Sequence, residues 1–386
     1  MTSRPTTLDA LTRTRRILVC IGSGGVGKTT TAAVIALHAA LAGRKVLVLT
    51  IDPARRLANS LGVEALDNEE RQIPLDTFRA AGLEPKGELW AMMLDMKRSF
   101  DHLVEKYAPD AATRDRIFQN RFYQYFSTSL AGTQEYSAME RLHELYEEDR
   151  YDLIVLDTPP SVHALDFLDA PNRMADAIEN SALQWLYNPS LAARSFGFGL
   201  FNVGTGYVLK TISRFTGAEL LDDLGPFLQN FQTMFEGFRT RARRVREVLG
   251  SPDTAFLIVT SPAPLTVEEA RFLQRRLAEE KIPFGGFIVN RVHAAYVPRD
   301  QLDADPAHLA SALAQAAGLD AVDPALAAAL LENATQFQTL ADLDAQTLLA
   351  LQERAHGDAS VWSVPYFSRD IHSFDGLNQV RARLFA

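Results

Sequence analysis

The sequence predicts an α/β protein: a mostly parallel phosphate-loop sheet with helices on both faces and with helical insertions. Three observations predict it. Short apolar runs rich in β-branched residues recur along the chain, with helical stretches between them. These runs are continuously apolar rather than alternating, as strands buried on both faces should be. A glycine-rich stretch, Gly22 to Thr30, sits directly between the first run and the first helical stretch.

Taken in order, residues 1–15 read as a polar N-terminal tail, followed by a single domain over 16–386. The predicted strands are Ile17–Ile21, Val46–Ile51, Leu89–Leu94, Leu153–Leu156, Phe256–Thr260, Phe287–Asn290 and Val361–Val364. Thr31–Ala42 is the helical run after the first strand. Val267–Glu280 carries Ala270, Leu273 and Leu277 on one stripe, with Glu268, Glu269, Arg275 and Arg276 off it, the pattern of a crossover helix. Three intervals, at about 96–151, 172–251 and 292–360, are too long for simple crossovers. Each is mainly helical in pattern and reads as an insertion on the one sheet domain. The third is rich in Ala and Leu and punctuated by Asp305-Pro306 and Asp323-Pro324, which predicts several short packed helices. There is no internal repeat and no second phosphate loop.

At 386 residues the chain has room for two or three domains, or for one α/β domain with large insertions. A hydrophobic fraction of 47% with 23% charged residues excludes a disordered or fibrous chain. The formal charge of -9 and a pI near 5.5 argue against nucleic acid or anionic lipid as partners. The run Arg239, Arg241, Arg243, Arg244, Arg246 accordingly reads as a solvated helix face. Cys20 is the single cysteine, so neither a disulfide framework nor a CxxC zinc site is possible within the chain, and its place inside the first strand suits a small buried hydrophobe. The N-terminus is polar, Ile17–Ile21 is too short for a signal-peptide core, and no run reaches the roughly 20 apolar residues of a membrane helix. A soluble cytoplasmic protein is the expectation.

The strongest chemical signal is Gly22-Ser23-Gly24-Gly25-Val26-Gly27-Lys28-Thr29-Thr30, a full GxxxxGK[ST] match in the strand–loop–helix order that phosphate binding requires. The backbone N–H groups of Gly24, Gly25, Val26 and Gly27, with Thr30 at the helix start, would cradle a polyphosphate at the positive end of the helix. Lys28 would reach the β/γ-phosphates and the Thr29 hydroxyl would ligate Mg²⁺. Such a site needs a carboxylate at the end of a neighbouring strand, and Asp157, in Ile154-Val155-Leu156-Asp157-Thr158-Pro159-Pro160, stands there. Asp52 follows the second strand and precedes Pro53. Its position fits either a carboxylate facing the γ-phosphate or the N-cap of the next helix.

Together these motifs resemble one family, the arsenite-efflux ATPases and tail-anchored-protein targeting ATPases of the SIMIBI division of P-loop proteins. The loop is similar to that family's GKGGVGKTT. Thr50-Ile51-Asp52-Pro53-Ala54 is similar to its switch I, and Asp157 through Leu165 to its switch II. Ala131-Gly132-Thr133-Gln134-Glu135 resembles its PGxDE segment, and Val289-Asn290 its strand-end asparagine. Val364-Pro365-Tyr366-Phe367 through His372 and Leu377 is similar to its closing stretch. The resemblance spans residues 16–377. It implies an ATP hydrolase in which Asp52 places the attacking water, Asp157 holds Mg²⁺ through water, Asn290 bonds the adenine edge, Pro365 and Phe367 line the base, and His163 belongs to the γ-phosphate-sensing switch. ATP is implied over GTP, since no NKxD motif is present.

Two departures from the family bear on partners. The family's second loop residue is a lysine that crosses a dimer interface; here it is Ser23, which can hydrogen-bond but cannot neutralise charge. Arg55, Arg56 or a paralogous partner are the candidate substitutes, so either a homodimer or a heterodimer with a paralogue is expected. The lone cysteine removes the zinc clamp and the metalloid site of the two named branches, so neither zinc nor arsenite is expected. The stretch Trp185–Leu228, dense in aromatic residues and broken by Gly197, Gly199, Gly204 and Gly206, is the candidate surface for a hydrophobic client; packing into the insertion's own core is the favoured of the two accounts. The expected function is a nucleotide-driven switch for a hydrophobic client or membrane protein partner. The alternatives are an energising subunit of a membrane transporter and a ParA/MinD-like positioning ATPase.

Overall fold

The computed structural model describes residues 7–51, 56–121, 133–159, 243–353 and 360–386, together with residues 123, 124, 127, 227, 230, 240 and 241. Eight strands form one sheet: β1 (Ile17–Ile21), β2 (Lys45–Thr50), β3 (Arg71–Gln72), β4 (Glu88–Met93), β5 (Leu153–Asp157), β6 (Thr254–Thr260), β7 (Phe284–Val292) and β8 (Ser360–Pro365). Their spatial order is β3-β4-β2-β5-β1-β6-β7-β8, and every pairing is parallel except β3 with β4. The seven apolar runs of the sequence are seven of these strands. The eighth, β3, has two residues, both exposed and polar, and so carries no hydrophobic signal.

Strand side chains alternate between the two faces. Leu18 and Cys20 join one buried cluster with Val46, Val48, Leu153 and Val155, while Ile17, Val19 and Ile21 join another with Leu47, Leu49, Ile154 and Leu156. The first cluster is covered by α1 (Leu8–Thr14), α2 (Lys28–Leu41), α3 (Arg56–Leu61) and α4 (Leu75–Ala80) and by the last helix of the chain. On the first interval lie α5 (Met96–Tyr107), α6 (Ala111–Gln119) and α7 (Thr133–Glu147); α7 covers the second cluster together with α8 (Pro264–Glu279). Both faces are therefore dry, which explains why the strands read as unbroken apolar runs.

Segment 1–15 is more than a polar tail. Leu8 and Leu11, one helical turn apart, are both 2% exposed and anchor α1 in the core beside α2. Two leucines in fifteen residues gave too weak a period to show a helix. The third interval also differs from expectation: after a 3₁₀ turn at Arg299–Gln301 come α9 (Pro306–Ala317) and a single 29-residue helix, α10 (Pro324–Gln352), in place of several short helices. The Asp-Pro pairs are helix starts, with Asp305 and Asp323 as N-caps and proline in the first turn. Beyond Pro324 neither glycine nor proline interrupts the chain before 352, so nothing ends the helix earlier. The closing helix, α11 (Phe374–Leu384), lies against α2.

The arginine run does not form a uniformly solvated face. Arg243 and Arg244 are exposed, but Arg241 pairs with the nearly buried Glu140 and lies 3.7 Å over the Tyr107 ring, and Arg246 pairs with Glu280.

Candidate functional site

The carboxyl ends of β1, β2 and β5 meet at one point of the sheet edge. Parallel registers set Asp157 beside Cys20 on one side and Thr50 on the other. Asp157 is fully buried. Its Oδ2 accepts hydrogen bonds from the Thr29 hydroxyl at 2.7 Å and the Thr50 hydroxyl at 2.9 Å. Hydrogen bonds to a charged acceptor contribute about 1.5–3 kcal/mol each, and these two fix the orientation of the side chain in its dry site. The neighbouring Thr158 hydroxyl donates to the Cys20 carbonyl at 2.9 Å, fixing the exit of β5. Burial, reinforced by the Asp157 carboxylate, pushes the Cys20 thiol up, so this cysteine is a packed apolar group and not a nucleophile.

The loop above this point is shaped by close approaches. Gly22 has φ +148° and a Cβ there would lie 2.1 Å from the Val259 carbonyl oxygen of β6. Gly27 has φ +98° and a Cβ there would lie 2.3 Å from the Asn290 amide nitrogen. Both positions therefore require glycine. Asn290 ties the end of β7 to the loop: its Nδ2 donates to the Val26 carbonyl at 2.9 Å, and its Oδ1 accepts from the Arg291 N–H at 2.9 Å. One amide hydrogen and one lone pair of Asn290 are not used by these two bonds. Lys28, the first residue of α2 and 6% exposed, donates from Nζ to the Ser23 carbonyl at 2.8 Å. The Ser23 hydroxyl in turn donates to the Glu269 carboxylate on α8. The second loop residue is thus tied within its own chain, 246 residues away in sequence.

These elements open onto a pocket of about 660 Å³, within the usual range of small-molecule sites. Gly25, Gly27, Lys28, Thr29 and Thr30 line one end, and Asn290, Pro365 and Phe367 line it together with Arg291, Tyr366, Arg369 and His372. The structure therefore brings together the loop, the strand-end asparagine and the C-terminal stretch named from sequence. Gly24 is exposed on the loop and Val26 is packed in the core; neither side of the pocket is formed by them. Arg56, Asn59 and Ser60 of α3 also line the pocket. Asn59, Ser60, Arg291 and Arg369 were not singled out from sequence, because no motif spacing marks them. Asp52, Arg55, His163, Ala131-Gly132 and, apart from Phe227, the Trp185–Leu228 stretch lie outside the described residues; Phe227 is buried, with its ring 6.4 Å from that of Tyr123.

Oxygen donors converge here, and the pairing of the Thr29 hydroxyl with the Asp157 carboxylate suits a hard divalent cation such as Mg²⁺. Among the described residues no group of three or more His, Cys, Asp or Glu side chains could hold a metal by themselves. No helix among them is long and apolar enough to cross a membrane.

Comparison with known proteins agrees with this geometry. Residues 15–305 match the anion-transporting ATPase family. The chain is 26% identical over 275 residues to the ATPase ASNA1 homolog 1 of Paramecium tetraurelia, covering 70% of this chain and 73% of the relative. It is 25% identical over 288 residues to the ATPase GET3 of Kluyveromyces lactis, covering 72% of each chain. It is also 25% identical over 264 residues to a protein of Aquifex aeolicus named as an arsenical pump-driving ATPase, covering 66% of this chain and 58% of that one.

Proposed function

From the premise that this chain belongs to the anion-transporting ATPase family and is an ATPase, we propose that it is an Mg²⁺-dependent, nucleotide-driven switch that acts on a hydrophobic client or membrane protein partner in the cytoplasm. The observation that carries the reading is the buried Asp157 carboxylate, which holds the Thr29 hydroxyl of the phosphate loop and the Thr50 hydroxyl at the end of β2 with one oxygen. Three segments that would surround a γ-phosphate are thereby joined at one atom.

Thr29 and Asp157 would hold Mg²⁺, which supplies charge neutralisation to the phosphates when bound. Lys28 and the N–H groups of the loop stabilise the charge that builds on the transferred phosphoryl group, an electrostatic contribution that requires no covalent participation by the protein. Asp52, two residues beyond Thr50, positions the attacking water and accepts its proton. Asn290 offers its unused amide hydrogen and lone pair to the adenine edge, and Pro365 with Phe367 flank the base. Because Asp157 touches both the loop and β2, a change in its bonding on phosphate loss would be passed to residues 52–55 and to the segment that follows Pro159. That is the proposed switch.

Ser23 is held by Glu269 and carries no charge, so a second chain would have to supply any trans cation from another residue. A homodimer or a heterodimer with a paralogue remains the proposed assembly. The aromatic composition of Trp185–Leu228 supports a hydrophobic client. A second reading, the energising subunit of a membrane transporter, is favoured by the name of the Aquifex aeolicus relative; pulldown from membranes that recovers a transporter would select it. The hydrolytic assignment is tested with Asp52→Asn. This variant should bind ATP with unchanged affinity and release no phosphate; turnover equal to the unaltered chain would remove Asp52 from the mechanism.

A further inference from the structure

Hydrolysis of ATP builds negative charge on the group that leaves. As the water oxygen bonds to the γ-phosphorus, the bond from that phosphorus to the bridging oxygen breaks; its electron pair stays on ADP and the water's proton goes to Asp52. In phosphoryl transfer generally, a cation beyond the loop lysine offsets this charge. The loop itself holds one cation, Lys28. Ser23 is uncharged, and its hydroxyl is committed to Glu269 of α8. The further cation has to come from another element or from a second chain.

Among the described residues four cationic side chains line the pocket, Lys28, Arg56, Arg291 and Arg369, against one carboxylate, Asp370, in a chain of net charge -9. None of the three arginines has an ion pair or a side-chain hydrogen bond among those residues. The sheet order separates them. Arg291 stands at the end of β7 and Arg369 follows β8, both on one side of β1, together with Asn290 and Pro365. The strand β2 lies on the other side of β1, and α3 is the helix that follows it. Thr50, the last residue of β2, shares the Asp157 Oδ2 with Thr29 of the loop, so α3 enters at the phosphate end. Its rotation is fixed by its own pattern. Leu57, Ala58 and Leu61 are buried in the cluster beside α2. Arg56, Asn59 and Ser60, three and four residues apart, form the face that lines the pocket. Ser60 on that face is only 5% exposed, so the face is turned into the molecule. Arg56 is exposed at the pocket and carries a planar, permanently charged fork that can bond two phosphate oxygens at once.

We propose that Arg56 is a catalytic residue acting in cis, its guanidinium neutralising the charge that builds on the leaving phosphate oxygens. The proposal rests on the hydrolytic reading above and adds that one chain completes its own set of catalytic cations.

The test measures phosphate release by the full chain and its variants. Affinity for MgADP is read by calorimetry with and without aluminium fluoride, a mimic of the phosphoryl group in transfer. Arg56→Ala should lower kcat about a hundredfold or more. It should bind ADP within about threefold of the unaltered chain, as evidence that it is folded, and lose the tightening that aluminium fluoride gives. Arg56→Lys keeps the charge without the fork and should recover part of kcat. Mixing the Arg56→Ala and Lys28→Ala chains separates cis from trans, because a residue acting across an interface would restore turnover in the mixture. No restoration is expected. Unchanged kcat in Arg56→Ala, a loss carried by KM alone, or restored turnover on mixing would overturn the proposal. So would an unaltered chain that binds ATP through Lys28 yet releases no phosphate alone, a result that leaves the nucleotide site standing and assigns the cation to a second chain. Failure of the unaltered chain to bind ATP would remove the hydrolytic reading itself, and this proposal with it.

Discussion

At the phosphate loop, Ser23, Lys28, Thr50 and Asp157 are all less than a tenth exposed, and each has a named hydrogen-bond partner. Along the α9–α10 hairpin the arrangement is reversed: leucines and a phenylalanine face outward, and the buried positions at the helix contact are alanines. The two regions differ in what completes them. The loop is a preorganised cavity whose polar groups are already fixed, so a small polyphosphate can enter without reordering it. The hairpin instead presents large apolar side chains that the described fold leaves uncovered.

The largest expected effect lies at the loop. Asp157→Asn should lower ATP turnover about a hundred- to a thousandfold, the usual cost of removing one preorganised electrostatic group, measured by phosphate release under saturating nucleotide. Next is Gly22→Ala. Its Cβ would meet the Val259 carbonyl oxygen at 2.1 Å, and the forced shift of loop against β6 should cost about 1–3 kcal/mol or more in chemical denaturation. No equivalent sensitivity is expected at the hairpin.

A smaller effect is expected behind the loop helix. Burial holds His38 of α2 below the ordinary histidine value of 6.5, with Asp9 pulling in the opposite direction. Its Nε2 lies 2.8 Å from Asp9 Oδ1, its Nδ1 is buried without a hydrogen-bond partner, and its ring stacks on Phe385 at 3.6 Å. The folded state thus favours neutral His38 while the unfolded chain takes up the proton at higher pH. Stability from this group is present above pH 6.5 and lost as pH falls. His38→Gln should flatten the fall in melting temperature between pH 7 and pH 5, by about 2 °C or less at this chain length. The smallest effect belongs to the hairpin. Leu326→Ser and Leu330→Ser should each change stability by no more than about 0.5 kcal/mol, as at exposed positions generally. A large loss in either would show that these leucines are packed and would erase the contrast between the two regions.

The same contrast sets what was legible in the sequence. Seven strands, the loop and the Asp157 position show plainly because buried parallel strands are continuously apolar and the phosphate loop has a fixed spacing. The strand β3 was not legible, since Arg71 and Gln72 are exposed polar residues pairing at a sheet edge. Helix α1 rested on two leucines, and the unbroken length of α10 was hidden by an Ala-rich composition with weak helical contrast between its faces. Contacts made by the fold alone could not be read at all: Ser23 with Glu269, and Asn290 with the Val26 carbonyl, join residues 246 and 264 positions apart. No local pattern encodes them.

The central claim is that this pocket binds and hydrolyses ATP through the phosphate loop. Phosphate release measured side by side for the unaltered chain and Lys28→Ala, with ATP and with GTP, tests it most directly. The account predicts Mg²⁺-dependent turnover of ATP in preference to GTP, abolished by Lys28→Ala. Turnover that survives this substitution, or that shows no preference for ATP, would contradict it.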